Sequence, residues 1–209
     1  MNMNNLLCIY LILCTLHLTF LSEGLPRLSH TTKLLLMPAL LAYFLSLQTE
    51  GGISTLLVTL ALLLGTIGDA FLLNNHKGKL FFAGMGSFFL GHICYGTYLA
   101  LHYKSGVYLL VAALFLLYPL FRIIKSLQVP PYGVCLGIYA TILAVLIALS
   151  AGSGSLFCTL GAIAFSFSDY FIAKDTIGEK TYSPTAVMGT YTLAQLLLIL
   201  GILSIQGVW

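Results

Sequence analysis

Seven short breaks divide an otherwise apolar chain of 209 residues into eight stretches that are long enough to cross a membrane. Each break contains charged residues, glycine, proline or a cluster of polar residues, which interrupt apolar helices. A transmembrane helix needs about 20 apolar residues, so eight helices account for about 160 residues and leave only loops and termini. The breaks lie near residues 23–32, 49–52, 74–79, 103–106, 125–131, 151–154 and 174–184.

The composition excludes most classes of soluble protein. Hydrophobic residues make up 59% of the chain and charged residues only 7%, whereas a soluble domain has about 25% charged residues. So few charges cannot cover a water-facing surface, which excludes a soluble enzyme, a nucleic-acid binder and a disordered segment. The sequence therefore predicts an all-α polytopic membrane protein, in which residues 1–209 form one domain, a single bundle of eight transmembrane helices.

The distribution of lysine and arginine indicates the orientation of this bundle. Eight of the nine basic residues lie in or beside the odd-numbered breaks, and Lys104 is the exception. Because cytoplasmic loops carry an excess of basic residues, we expect these loops in the cytoplasm and both termini on the opposite side. No positive charge precedes the first apolar run, residues 6–21, and no clean cleavage site follows it. We expect this run to be the first span rather than a signal peptide.

Two aspartates lie inside otherwise apolar stretches. Asp69 is the only charged residue between Glu50 and Lys77, and Asp169 is the only one within residues 126–173. A carboxylate at bilayer depth costs about 2.5–3.5 kcal/mol, so each should face the bundle interior and have a partner. A hydrogen bond that only fixes helix packing is the simpler interpretation. Two such residues in matched helices favour a functional role instead.

The two aspartates have similar sequences around them. The flanks read Gly-Asp-Ala-Phe-Leu at 68–72 and Ser-Asp-Tyr-Phe-Ile at 168–172. One interpretation is an internal duplication of four helices plus four, and chance similarity in apolar sequence is the other. With a rise of 1.5 Å per residue, both carboxylates lie about 7.5–9 Å from the cytoplasmic ends of their helices. Two buried carboxylates at one level suit a general acid–base pair, since desolvation and mutual repulsion favour the protonated form of one.

Other polar side chains in the predicted spans are candidates for lining a pocket. Histidine in a membrane helix is more often a packing residue than a catalyst, and tyrosine near a membrane interface is usually part of the aromatic belt. Lys33 is expected to open the second helix, where it could hold a phosphate, although snorkelling to the surface is the default for lysine. The candidates that we expect to line the pocket are Lys33, His92, Tyr95, Tyr139, Ser168 and Tyr191.

Nothing in the sequence points to a metal or a cofactor. The five cysteines lie inside apolar runs, without Cys-x-x-Cys spacing, so we expect packed thiols rather than a zinc site or a disulfide framework. The sequence contains no phosphate-binding loop, dinucleotide fingerprint or His-Glu-x-x-His motif. Two carboxylates would be a poor ligand set for zinc. We therefore predict no metal and no cofactor.

Four stretches of the sequence carry a family resemblance: KLLLMP at 33–38, GDAFLL at 68–73, FFAGMGSFFLGHICY at 81–95 and AFSFSDYFIA at 164–173. Together they resemble the YhhN-like lysoplasmalogenases, over about residues 30–200. This resemblance implies an integral-membrane hydrolase that cleaves the vinyl ether bond of lysoplasmalogens into a fatty aldehyde and a glycerophospho-ethanolamine or -choline. The aspartates of the family's GD and SD motifs correspond to Asp69 and Asp169.

The resemblance also implies the partners and the membrane. The substrate would be lysoplasmenyl-ethanolamine or -choline, in contact with membrane lipids, without nucleic acid and without an obligate protein partner. The host membrane would be the inner membrane in a bacterium or the endoplasmic reticulum in a eukaryote. In the mechanism that we predict, one aspartate protonates the vinyl ether, and the other stabilises the cation and activates water. The sequence leaves open which aspartate has which role.

Two other functions use paired intramembrane aspartates. An intramembrane aspartyl protease is disfavoured, because Thr66 replaces the first glycine of a GxGD motif and the Pro-Ala-Leu triplet at 38–40 precedes both aspartates. A small proton-coupled transporter is the main alternative. Transporters commonly break their helices at a midplane site, whereas both aspartates here lie near one membrane face with no proline nearby.

Overall fold

The computed structural model describes residues 3–48, 51–73, 78–104, 106, 133–176, 178 and 182–208. Regular structure in this part of the chain is entirely helical, and each of its seven helices is long and apolar enough to span a membrane. They are α1 (Met3–Ser22), α2 (Pro26–Ser46), α3 (Ile53–Phe71), α4 (Lys79–Leu101), α5 (Gly133–Gly152), α6 (Leu156–Thr176) and α7 (Pro184–Ile205).

The all-α, multi-pass prediction is therefore confirmed. The expected span between the breaks at 103–106 and 125–131 lies outside the described residues. The total of eight helices and the four-plus-four duplication consequently stay predictions, as does the single domain.

The start of the second helix differs from the sequence prediction. Residues 23–32 were expected to form a break, but α2 already begins at Pro26. Proline suits the first turn of a helix because its φ is fixed and it lacks the N–H that would have no partner there. The chain turns between α1 and α2 at Gly24, whose φ of 66° is readily adopted by glycine. Lys33 consequently lies two turns inside α2 rather than at its start.

The chain forms two compact units. The first comprises Met1–Tyr95 and Ser183–Thr192, and the second comprises Gly96–Tyr182 and Leu193–Trp209. Helices α1, α2 and α3 belong to the first unit, α5 and α6 belong to the second, and α4 and α7 contribute residues to both. Each unit carries one of the two aspartates.

In the first unit, α1 packs against α2 and α2 packs against α3. The buried face of α3 carries small residues beside aliphatic ones, namely Val58, Ala61, Leu62, Gly65, Gly68 and Asp69. The Ser87 hydroxyl on α4 donates a 2.6 Å hydrogen bond to the Leu64 carbonyl on α3. Small residues allow such close approach of two helix backbones, which stabilises helix pairs where lipid supplies no hydrophobic drive.

In the second unit, α5 packs against α6, and α6 approaches the second half of α7 closely. A Cβ added to Gly161 would lie 2.8 Å from the Leu198 backbone nitrogen, and one added to Gly201 would lie 2.5 Å from the Cys158 backbone nitrogen. Cys158 is buried, but Cys8 and Cys135 are exposed. The prediction of packed thiols was therefore wrong for these two cysteines, because their helices turn apolar side chains outward as well as inward.

Candidate active site

Asp69 lies in the last turn of α3 and is only 2% exposed. The prediction that this carboxylate faces the interior is thus confirmed within its own unit. Gly65 and Gly68 share the buried face, so the backbone around the carboxylate is open to side chains from neighbouring helices. Three helices of the first unit contribute side chains that contact Asp69 or support its contacts.

Lys33 of α2 forms an ion pair with Asp69, with 3.5 Å between Nζ and Oδ1. The lysine side chain is 16% exposed. The default expectation that Lys33 snorkels to the surface was therefore wrong. Its position two turns inside α2 places the ammonium group next to a buried carboxylate, and a buried charge needs a partner of this kind.

Tyr191 of α7 supplies the second contact with the carboxylate. Its hydroxyl donates a 2.8 Å hydrogen bond to Oδ2 of Asp69, and the side chain is buried. Both carboxylate oxygens thus face a hydrogen-bond donor, one cationic and one neutral. We call Lys33, Asp69 and Tyr191 the Asp69 cluster. It brings together two of the predicted pocket residues and one of the two predicted aspartates.

Phe88 of α4 supports Tyr191 from the side. The two rings meet edge to face, with 5.7 Å between their centroids and an angle of 80°. Phe88 also covers Gly68, where an added Cβ would lie 2.7 Å from Cε2 of the ring. The glycine that precedes Asp69 therefore leaves the space in which Phe88 holds the tyrosine.

Further tyrosines surround the cluster. Tyr10 and Tyr95 lie near Tyr191, and the Tyr10 hydroxyl donates a 2.8 Å hydrogen bond to the Thr192 carbonyl. Tyr95 and His92, two of the predicted pocket residues, are both buried on α4. Sequence reasoning missed Tyr10, because a tyrosine in a long apolar run has the same signature as an aromatic-belt residue.

The second aspartate has its own cluster in the second unit. Tyr139 of α5 forms a side-chain hydrogen bond with Asp169 of α6. Ser168 precedes the aspartate and is buried. We call Tyr139, Ser168 and Asp169 the Asp169 cluster. The predicted pocket residues Tyr139 and Ser168 thus lie with Asp169 rather than in the Asp69 cluster.

The Asp69 cluster can perform the electrostatic part of an acid–base reaction. A cation and a hydroxyl donor beside a carboxylate favour its ionised form, and such a carboxylate can accept a proton or stabilise a developing positive charge. The residues that the structure describes include no group of three or more His, Cys, Asp or Glu side chains that could hold a metal ion. The absence of a metal or cofactor stays a prediction.

Replacing Tyr191 by phenylalanine tests the hydrogen bond without removing the ring. We expect Tyr191→Phe to lower the catalytic rate by about tenfold to a hundredfold, because a donor to a buried charged group contributes about 1.5–3 kcal/mol. Tyr98→Phe is the matched control, since the Tyr98 hydroxyl donates a long 3.4 Å hydrogen bond to the Ile202 carbonyl. A control that loses as much activity as Tyr191→Phe would contradict a specific role for Tyr191.

Comparison with known proteins identifies relatives of this chain. The sequence matches the profile of the YhhN family over residues 28–202. It is 32% identical over 174 residues to the lysoplasmalogenase TMEM86B of Mus musculus, and the match covers 80% of this chain and 72% of that protein. No solved structure matches the chain significantly. The family match includes every residue of the Asp69 and Asp169 clusters.

Proposed function

The chain belongs to the YhhN family, and we propose that it is a lysoplasmalogenase that hydrolyses the vinyl ether bond of lysoplasmalogens. The products are a fatty aldehyde and a glycerophospho-ethanolamine or -choline. The observation that carries this proposal is the buried Asp69 cluster, in which a carboxylate is ion-paired and hydrogen-bonded inside an apolar helix bundle. The name of the mouse relative supports the same reaction.

The first step of the reaction needs a proton donor. A vinyl ether is an electron-rich alkene, and its slow step in acid is protonation of the carbon β to the ether oxygen. We assign the role of general acid in this step to Asp169. Its hydrogen-bonding neighbour Tyr139 is a neutral group, whereas the Lys33 cation lies beside Asp69.

Asp69 performs the second step as the ionised carboxylate. It stabilises the oxocarbenium ion that protonation creates, and it takes a proton from the water that attacks the carbon bonded to the ether oxygen. The hemiacetal then collapses. Asp69 returns its proton to the departing glycerol oxygen, and the hemiacetal hydroxyl proton goes to Asp169. One water molecule is consumed, and both carboxyl groups regain their starting forms.

The position of Asp69 along α3 suits this substrate. It lies two positions before Phe71, the last residue of the helix, which corresponds to about 3 Å along the helix axis rather than the roughly 9 Å expected from the sequence. In a lysoplasmalogen embedded in a bilayer, the vinyl ether bond lies directly below the glycerol, at the boundary between headgroups and acyl chains. A carboxylate in the last turn of a membrane-spanning helix lies at a similar depth.

Release of aldehyde by the purified protein tests the proposed function. We expect aldehyde from a 1-alkenyl lysophospholipid and none from the saturated 1-alkyl ether, because only the alkenyl lipid can form the oxocarbenium ion. Asp169→Asn should lower the rate by about a hundredfold or more, since it removes a general acid. Asp175→Asn, six residues further along α6, is the control and should remain active.

Absence of aldehyde from a folded sample would contradict the proposal. Solute flux into liposomes without product formation would then favour a proton-coupled transporter that uses the same aspartates.

A further inference from the structure

His17 of α1 is a buried histidine that the mechanism does not use. Its side chain is 1% exposed. Its Nδ1 lies 3.0 Å from the Ser29 carbonyl oxygen and 3.0 Å from the Thr32 hydroxyl oxygen, both on α2. The imidazole is therefore held against the first two turns of α2, directly before Lys33. This residue lies outside the stretch that matches the family, residues 28–202.

The contacts of Nδ1 determine the tautomer of this imidazole. A carbonyl oxygen only accepts hydrogen bonds, so Nδ1 must carry the proton that it donates to Ser29. The Thr32 hydroxyl donates to the Leu28 carbonyl at 2.9 Å, which leaves its oxygen free to accept as well. In the neutral imidazole, Nε2 therefore presents a lone pair and is a hydrogen-bond acceptor.

Nε2 is buried and has no hydrogen-bonding partner in the part of the chain that the structure describes. Buried polar groups in proteins nearly always have a partner, and each exception calls for a ligand, a water molecule or a functional reason. Thr32, whose hydroxyl oxygen contacts Nδ1, directly precedes Lys33 in α2, and Lys33 pairs with Asp69. The imidazole is thus held against the part of α2 that also supplies a residue of the Asp69 cluster.

The positive charge of Lys33 limits which kind of group could donate a hydrogen bond to Nε2 of His17. An ammonium group such as that of ethanolamine would be repelled by the Lys33 cation, and it lies beyond the phosphate, far from the ether bond. A neutral O–H group is not repelled. The free sn-2 hydroxyl of a lysolipid is such a donor, and it sits on the carbon next to the one that bears the vinyl ether.

We propose that Nε2 of His17 accepts a hydrogen bond from the sn-2 hydroxyl of the substrate, so that His17 recognises the lyso form of the lipid. This inference rests on the proposed lysoplasmalogenase function. An acylated lipid has no hydroxyl to donate and would leave Nε2 without a partner. A site built to bind a hydroxyl rejects analogues that lack it far more strongly than an apolar pocket does, because its own polar group then stays buried and unpaired.

The test compares two lipids that differ only at the sn-2 carbon: a 1-alkenyl lysophospholipid and its 2-deoxy analogue. The measured quantity is the ratio of their kcat/KM values. We expect the protein to prefer the hydroxyl lipid by about a hundredfold, and His17→Phe to bring the ratio close to one. His17→Gln keeps an amide acceptor and should restore part of the preference.

His102→Phe is the matched control in the second unit. His102 is part-buried and its Nδ1 lies 2.8 Å from the Tyr98 carbonyl oxygen, so the substitution removes a comparable imidazole. We expect this variant to keep the ratio of the unsubstituted protein. If His17→Phe does not fold, His17→Leu, which also lacks the acceptor, takes its place, and an unchanged ratio in a folded variant without the acceptor overturns the inference.

The remaining outcomes separate the inference from the proposed function. Equal cleavage of both lipids by the unsubstituted protein would overturn the role of His17 and leave vinyl ether hydrolysis intact. An equal loss on both lipids in His17→Phe, with the ratio unchanged, would indicate that His17 activates water or only supports α1, and it would also overturn the inference. Cleavage of neither lipid would contradict the lysoplasmalogenase function itself.

Discussion

Replacing Asp69 by asparagine should lower kcat for the 1-alkenyl lysophospholipid by about a thousandfold. Asparagine has nearly the same shape and can still accept the hydrogen bond from Tyr191, but it carries no negative charge. It can therefore neither stabilise the oxocarbenium ion nor take the proton of the attacking water. The measurement is aldehyde release at saturating lipid, since a loss in kcat reports interactions made in the transition state.

Two comparisons make the Asp69→Asn result decisive. The thermal unfolding midpoint of the variant in detergent micelles shows whether the bundle has stayed folded. Asp69→Glu keeps the charge while moving it, so it should retain more activity than the asparagine variant. A folded Asp69→Asn protein with full activity would show that Asp69 only fixes helix packing, which is the simpler interpretation of a membrane aspartate.

Replacing Lys33 by methionine should lower the free energy of unfolding by about 3 kcal/mol. Removal of one partner from a buried ion pair leaves the other charge without compensation, and this cost exceeds the net contribution of the intact pair. Methionine keeps a long, flexible side chain in the same space, so the loss comes from the charge rather than from a cavity. The shift of the unfolding midpoint in detergent micelles measures the effect.

The double substitution Lys33→Met with Asp69→Asn separates stability from activity. Because both charges are removed together, we expect the double variant to regain most of the free energy of unfolding that Lys33→Met loses. Replacing a whole buried ion pair by neutral groups has this effect in other proteins. Activity should stay as low as in Asp69→Asn. Lys104→Met is the control, because this lysine is exposed and should change stability by less than about 0.5 kcal/mol. A Lys33→Met variant as stable as the unsubstituted protein would contradict the ion pair.

Lys33→Met and the double variant show whether the charges of the Asp69 cluster serve stability or activity. Charged groups inside a membrane bundle are unfavourable compared with apolar side chains of similar size. The presence of two such charges at Lys33 and Asp69 indicates a task other than stability. If the double variant is stable but inactive, the two charges are needed for the reaction rather than for stability.

The sequence by itself determined the class of the protein and the position of its carboxylates. Helix spans follow from the transfer free energies of consecutive residues, which are local quantities. The ends of α3 and α4 therefore agree with the breaks near 49–52 and 74–79. The high cost of a charge in lipid likewise singles out Asp69 and Asp169 without any knowledge of their neighbours.

Only the tertiary structure decided which side chains meet. The partners of Asp69 lie 36 residues away at Lys33 and 122 residues away at Tyr191, and the imidazole of His17 rests on the turn before Lys33. In a soluble helix, the alternation of polar and apolar residues shows which face is buried. In a membrane bundle, the lipid-facing and interior faces are both apolar, so the sequence does not reveal how each helix is rotated. The rotation that pairs Lys33 with Asp69 is set by close packing between helices, and packing is a property of the folded chain.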